Sequence, residues 1–566
     1  MFSRIFKPIL IVIVSVVVAS GALSAQTLRT PAEQTNFQAG PTMYDDLMQF
    51  VYDLDASSEL MQVQKLTETL SGRDVLLCIL SNPPVHRPSD IINSSKPIVL
   101  VVNNVHGGEV AGKEASLILM RDLLHGNLRP LLDEVVVLDI PTINPDGAEA
   151  RRRTNEQGFD LNRDYIKLES QEIHALVTKV INAWQPDIHV DTHHGGSTPY
   201  ALTFQSNMNP AGDMELVRIA EEMIVPRIRQ SLREEDYDGF WYSGPRREND
   251  EVVGWQPTSV EPRKQHVYST LTNMVGFLYE TPSNAQRVVD NGTRVVDVPQ
   301  EERYRHQVRG QYIGQRELIR FAADEPELLR NSINAAKERA TQLGMNDSDN
   351  DQIPLEYRQV ARYNQEFWFL EGAVRDPETR RTIGGTWTKR SLPIYTKFET
   401  TRTTTRPWGY ILPPQLAAVV PLLLDHEITV KKLIEPVSLE VEAYYATEVR
   451  QTQYFQGHYL KAVEAEKRIE TMEFPSGSFF IPSGQPKSNF ISYILEPETN
   501  DNLLTWSHLD NYVQARPQRD ETEMADRGGR QAQGQRIPMY RLMKMSPFKS
   551  VVVENYNRYE RKRYIK

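Results

Sequence analysis

The sequence predicts an α/β domain built on a largely parallel sheet, followed by a C-terminal strand-rich domain. Three observations carry this. Between about residues 44 and 281, short apolar runs that read as strands alternate with amphipathic helical segments. Several of those runs, such as "KPIVLVV", are continuous rather than alternating, as expected of strands buried on both faces. From about residue 350 the texture changes to short aromatic and β-branched stretches broken by Gly and Pro. At 566 residues the chain is also too long for one ordinary domain.

The elements follow in order. "TMYDDLMQFVYDLDASS" has helical spacing and ends in Asp/Ser residues; "DVLLCILS" and "KPIVLVVNN" read as strands. "AGKEASLILMRDLLHG" is an amphipathic helix stopped by Gly126, and "DEVVVLDIPTIN" the next buried strand. "SQEIHALVTKVINAWQP" is a helix, "DIHVDTHH" a strand, "GDMELVRIAEEMIVPRIRQSLR" a long helix and "NMVGFLYET" a strand. A helical stretch covers about 313–342, and the polar "GMNDSDNDQIP" after it reads as a solvated linker. It lacks the glycine and terminal glutamate of a calcium loop. Beyond it, "QEFWFLEGAV", "TIGGTWTKRSLPIYTKF", "WGYILPP", "EITVKKLIE", "SLEVEAYYATEV", "GSFFIPSG" and "FISYILEP" read as strands, with a helix at "QLAAVVPLLLDH". Aromatic residues at strand spacing are read as packing rather than as a lid or glycan-binding face. "RPQRDETEMADRGGRQAQGQR" has almost no apolar residues and reads as a surface loop.

Composition excludes several classes. The chain is 40% hydrophobic and 25% charged, a soluble globular balance, and its formal net charge of −11 argues against nucleic-acid binding. One cysteine, Cys78, allows neither an intrachain disulfide nor a thiolate metal cluster. The N-terminus has Arg4 and Lys7, an apolar stretch and the small-residue exit "GALSAQ". It reads as a signal peptide, residues 1–25, cleaved near Ser24 or Ala25. No other stretch is long enough to span a bilayer, so the expected mature protein is exported, periplasmic or extracellular, with no membrane association after cleavage.

The chemistry is expected at strand ends, where open α/β sheets bind ligands. "NNVHGGEVAG" follows a strand and sets His106 and Glu109 on a glycine-containing turn. Imidazole and carboxylate suit zinc, and a catalytic zinc takes three protein ligands with a fourth position open. The third ligand is sought in "PDIHVDTHHGG", which offers His189, His193 and His194, with Asp191 placed to orient one of them. "INPDG" forms a turn after a strand, and "RRRTNEQGFDLNRDY" carries several arginines and the pair Asn162–Arg163; arginine is the bidentate partner of a carboxylate. "FLYETPS" ends an apolar run with Glu280, a position that raises a carboxyl pKa and suits a general base.

In this order, "HGGE", "NPDG", "RTNEQGFDLNRDY", "VDTHHG" and "FLYETPS" resemble the successive site motifs of the zinc carboxypeptidases of the carboxypeptidase A type, over roughly residues 40–320. The resemblance implies a mixed eight-stranded sheet flanked by helices and one Zn²⁺ per chain held by His106, Glu109 and His193. It implies Glu280 as the base, Arg153 as the oxyanion arginine with Arg152 the alternative, and Asn162 with Arg163 as the clamp for the substrate carboxylate. Tyr242 and Tyr268 are both candidates for the family's capping tyrosine. The spacer between Glu109 and His193 is shorter than in the pancreatic digestive enzymes, so the loops around the pocket differ.

The expected organisation is a catalytic domain at 40–325, a helical linker at 326–350 and a strand-rich accessory domain at 351–566. The expected function is an exported zinc carboxypeptidase acting on peptides. The alternative is a zinc amidase or deacylase acting on N-acyl amino acids or cell-wall peptides, whose substrates also carry a free carboxylate. A binding module without catalysis is the third reading, and it is disfavoured because ligands and base are all present.

Overall fold

A computed structural model describes residues 28–554, except 92–93, 258–259, 346–350, 377, 379–381 and 515–533. The signal peptide lies outside the described residues, as do most of the acidic segment after residue 345 and nearly all of the polar loop near 516–536. Ten strands fall between residues 61 and 281: β1 (Met61–Glu68), β2 (Asp74–Leu80), β3 (Ile98–Val102), β4 (Val136–Ile140), β5 (Ile188–His194), β6 (Leu202–Gln205), β7 (Gly239–Trp241), β8 (Gly244–Glu248), β9 (Glu251–Gln256) and β10 (Val275–Thr281). Eight of them form one mixed sheet in the order β1-β2-β4-β3-β5-β10-β6-β7. Its centre, β4-β3-β5-β10, is parallel, while β1-β2, β2-β4 and β10-β6 are antiparallel.

The central strands are buried almost from end to end because both faces are covered. Along β3, Val99 and Val101 enter one core, and Ile98, Leu100 and Val102 enter the other. This is the two-residue alternation of a strand, with neither side left to solvent. The first face carries the helices Tyr44–Ser57, Ala111–His125, Arg303–Asp324 and Pro326–Leu343. The second carries the helical segment 171–184 and the helix Gln265–Leu271.

The C-terminal region is strand-rich but shares both cores. Tyr410, Ile481, Phe490 and Trp506 pack into the second core, and Phe367, Phe369 and Ile394 into the first. A seven-stranded sheet contains a long hairpin, Val437–Phe455 and His458–Phe474. A second sheet crosses the expected boundary: β8 and β9 join Tyr363–Glu371 and Thr386–Ile394 in four strands. Trp255 of β9 is fully buried against Phe240 and Phe367, with ring centroids 4.9 and 5.1 Å away.

Two expectations are corrected. "FISYILEP" contains a helix, Ser488–Leu495, not a strand: Phe490, Ile491, Ile494 and Leu495 recur at helical spacing and are all buried. The β-branched and aromatic residues there pack on a helix because tertiary burial outweighs their propensity. The helical stretch near 313–342 is two helices, Arg303–Asp324 and Pro326–Leu343, with the proline at the first turn of the second. The second helix was expected to link two bodies. It is instead part of the helical layer, with Leu329, Ile333 and Ala336 in the first core and Arg330 and Arg339 ion-paired to Asp187 and Asp213.

Candidate metal centre

β3 leads into the turn that bears His106 and Glu109. Asn104 sits at the left-handed φ of +56°, and its side-chain amide donates to the carbonyls of His106, Gly107 and Glu109 at 3.0–3.1 Å. This knits the turn from inside. Gly107 is required by proximity: a Cβ there would fall 1.9 Å from the Gly147 carbonyl carbon. Gly147 belongs to the "NPDG" turn, where Asn144 caps the short helix Pro145–Glu149 and donates to Val105 O and Arg153 O at 3.1 and 3.3 Å. The two motifs therefore brace each other.

β5 settles which histidine joins that turn. Its pleat puts His189, Asp191 and His193 on one face and His194 on the other. His194 turns to the helix Ala111–His125, where its Nε2 accepts from the Ala111 N–H at 2.8 Å. His189 lies deeper in the strand, its Nδ1 3.0 Å from Ser269 Oγ. His193 reaches the turn: its Nδ1 is 2.9 Å from both His106 Nδ1 and Glu109 Oε2, and His106 Nδ1 is 2.8 Å from the same carboxylate oxygen. Ligand atoms of the three residues lie within 4.8 Å of one another.

The outer nitrogens explain this convergence. His106 Nε2 is 3.0 Å from Asp160 Oδ1, and His193 Nε2 is 2.8 Å from Asp191 Oδ2. A carboxylate at Nε2 holds the proton there and leaves Nδ1 as a lone pair. Two lone pairs and a carboxylate then face one point, which suits a cation and little else. Without a cation, protons on the two Nδ1 atoms fill that point instead, and against the effect of burial their hydrogen bonds hold the Glu109 carboxyl well below the usual range. Two nitrogens and one carboxylate oxygen are a donor set for zinc.

Glu280 stands beside this set. It pairs in parallel register with His193 across β10 and β5, and only 8% of it is exposed. Burial pushes its carboxyl up to about 8, against the pull of His193. Gly195 makes room for it, since a Cβ there would lie 2.5 Å from Glu280 Oε2. Tyr242 is next to both, 3.5 Å from the same virtual Cβ. Burial and the nearby Glu280 and Glu109 push its phenol upward, so it stays protonated. Tyr268 is excluded as the capping residue: it is fully buried, and its hydroxyl is 3.1 Å from His426 Nδ1.

Of the two arginines considered for the oxyanion, Arg153 is at the site. It spans Asp160 Oδ2 at 2.9 Å and Glu109 Oε1 at 3.3 Å and is half-exposed. Arg152 pairs with Glu156 on the surface. Arg163 is half-buried, donates to Asn162 O at 2.6 Å, and forms no ion pair with a carboxylate of the described residues. Asn162 departs from its expected part in the clamp. It is buried, its amide donates to Asp191 Oδ2 at 2.9 Å, and its Oδ1 accepts from Gln265 N. With both ends engaged, it braces Asp191.

Sequence reasoning missed two neighbours. Asp160 lies inside a motif already singled out, and the need of a ligating histidine for a carboxylate at its second nitrogen was the signal that could have found it. Gln456 gave no signal: it sits at the tip of the long hairpin, 296 residues on, and its Oε1 accepts from the Asp160 N–H at 2.8 Å.

A family model described as zinc carboxypeptidase matches residues 47–221, which include all three donors. Over that segment the chain is similar to the zinc carboxypeptidases. The chain is 23% identical over 495 residues to carboxypeptidase 2 of Trichophyton tonsurans, covering 83% of this chain and 84% of that one. A match of that length extends beyond 40–325, so it includes part of the C-terminal region. It is 26% identical over 181 residues to carboxypeptidase SOL1 of Arabidopsis thaliana, covering 30% and 36% of the two chains. Among solved structures, a metallo-carboxypeptidase from Burkholderia cenocepacia aligns with TM-score 0.38 and 18% identity over 50% of this chain and 70% of that chain. Carboxypeptidase A from Helicoverpa armigera aligns with TM-score 0.36 and 15% identity over 53% and 75%.

Proposed function

We propose that the protein is an exported carboxypeptidase that releases the C-terminal residue of peptides, with His106, Glu109 and His193 as zinc ligands and Glu280 as general base. One observation carries this: three donors, two of them buried histidines, converge on a point beside a carboxyl whose pKa is raised to about 8. Bound zinc supplies Lewis acidity, lowering the pKa of a water and polarising the scissile carbonyl. A cation bound at the donors would favour the ionised form of Glu280, whose carboxylate then takes a proton from the attacking water and later delivers it to the leaving amine. Asp160 and Asp191 hold the Nε2–H tautomers that aim both imidazoles inward. Arg153, half-exposed at the rim, offers donors to the oxyanion that develops in the transition state. Arg163 fixes the terminal carboxylate and thereby the bond to be cut. Tyr242, protonated and half-buried beside Glu280, is the capping candidate. Export rests on the N-terminal charge pattern; no helix among the described residues is long and apolar enough to cross a membrane.

The test is zinc analysis of the purified protein, then residue release from a mixed peptide pool with and without chelator. One zinc per chain and chelator-sensitive release are expected. Glu280→Gln should keep the zinc and lose ~10²–10⁴-fold in turnover. Zinc with hydrolysis of N-acyl amino acids but not of peptides would replace this reading with the deacylase.

A further inference from the structure

Beside the donor set, a cavity of about 590 Å³ is walled by two distant parts of the chain. From the α/β unit come Gly195 and Thr281, the residues next to the exits of β5 and β10, and Arg247 of β8. From the C-terminal region come Phe369, Leu370 and Trp387. Leu370 and Trp387 are cross-strand partners, so they present one apolar surface. Their strands are anchored: Phe367 and Phe369 lie in the first core with Phe240 and Trp255. Ile394 pairs with Trp255 of β9.

The cavity lies next to the reacting centre. Thr281 follows Glu280 directly, and only the backbone of Gly195 separates the Glu280 carboxylate from the lining. Along the strand ends the order is the Asp160–Arg163 loop against His106, then His193 on β5, then Glu280 on β10, then the cavity. A peptide whose carboxylate meets Arg163 and whose scissile carbonyl lies over the donors continues past Glu280 into this space. The volume falls within the ~300–1,000 Å³ of ligand clefts.

We infer that the C-terminal region completes the substrate cleft, and that Leu370 and Trp387 bind apolar side chains of the residues just upstream of the scissile bond. The region is then a specificity element, and its Trp387 selects longer peptides over N-acylated dipeptides. This use of the cavity presupposes the carboxypeptidase chemistry proposed above.

The experiment compares kcat/KM for two substrates sharing one C-terminal dipeptide: an N-acetylated dipeptide, and a pentapeptide with Leu and Phe upstream. The wild-type protein should prefer the pentapeptide, and Trp387→Ala should cut that preference about 10-fold, the scale of one lost apolar contact surface. Leu370→Glu, a half-exposed change, should move preference from upstream Leu/Phe towards upstream Lys/Arg. Melting temperatures check that both variants are folded. An unchanged pentapeptide-to-dipeptide ratio in Trp387→Ala, with no shift in Leu370→Glu, would overturn the inference while leaving the carboxypeptidase intact. Failure of the wild-type protein to release residues from either substrate would overturn the proposed function, and this use of the cavity with it.

Discussion

Replacing Glu280 by Gln in the metal-free protein should stabilise it, and by more as pH rises. The carboxyl is buried, and its pKa moves from the ordinary 4.5 to about 8. Below pH 4.5 the folded and unfolded chains both hold the proton, so Glu and Gln are equivalent. Between 4.5 and 8 only the folded chain holds it, and the cost of folding grows by ~1.36 kcal/mol per pH unit. Above 8 the folded chain must carry the buried charge, and the cost levels off near 3.5 × 1.36, about 5 kcal/mol. At pH 7 it is about 3 kcal/mol. With an unfolding entropy of ~2.1 cal/mol/K per residue, 566 residues give ~1.2 kcal/mol/K, so 5 kcal/mol is about 4 °C in melting temperature. The assay is differential scanning of chelator-treated wild-type protein and Glu280→Gln at pH 4, 7 and 9. The expected difference is near zero at pH 4 and about 4 °C at pH 9. A difference that does not grow with pH would refute the claim that burial of Glu280 outweighs the pull of His193 on its charge.

Other expectations concern single contacts. Arg163→Ala should raise KM for peptides by ~10–150-fold, the value of a charge-assisted pair of ~1.5–3 kcal/mol, and should not change the weak turnover of C-terminally amidated peptides. Gln456→Ala leaves the Asp160 N–H without its acceptor and should weaken zinc binding ~10-fold in chelator competition, without loss of fold. Trp255→Ala should cost ~3–5 kcal/mol, about 3–4 °C, and unfolding should remain one transition because both parts of the chain share that core.

Much of the site was legible because its chemistry demands particular residue types at strand ends. His106, Glu109 and Glu280 could be singled out from apolar runs ending in polar residues with glycines or prolines nearby, and Arg163 from a polar, arginine-bearing motif. Among the three β5 histidines, the two-residue period already separates His194 from the others, and only depth along the strand separates His193 from His189. Asn162 was misjudged because an amide can clamp a ligand or brace a carboxylate, and only its distances to Asp191 and the Gln265 N–H decide. Tyr242 and Tyr268 are equal as letters; one is fully buried against His426 and the other lies beside Glu280.

The sequence alone determined the α/β order, the parallel centre and the donor types, because each follows from local pattern: hydrophobic period, strand ends and side-chain chemistry. The tertiary structure decided what depends on distance through space. It brought Gln456 against Asp160 across 296 residues and set Trp387 and Leu370 beside Gly195 and Thr281. It also packed C-terminal residues such as Phe367 and Trp506 into the two cores of the α/β unit. Contacts of that kind depend on how packed elements happen to meet, and no periodicity in either segment encodes its distant partner.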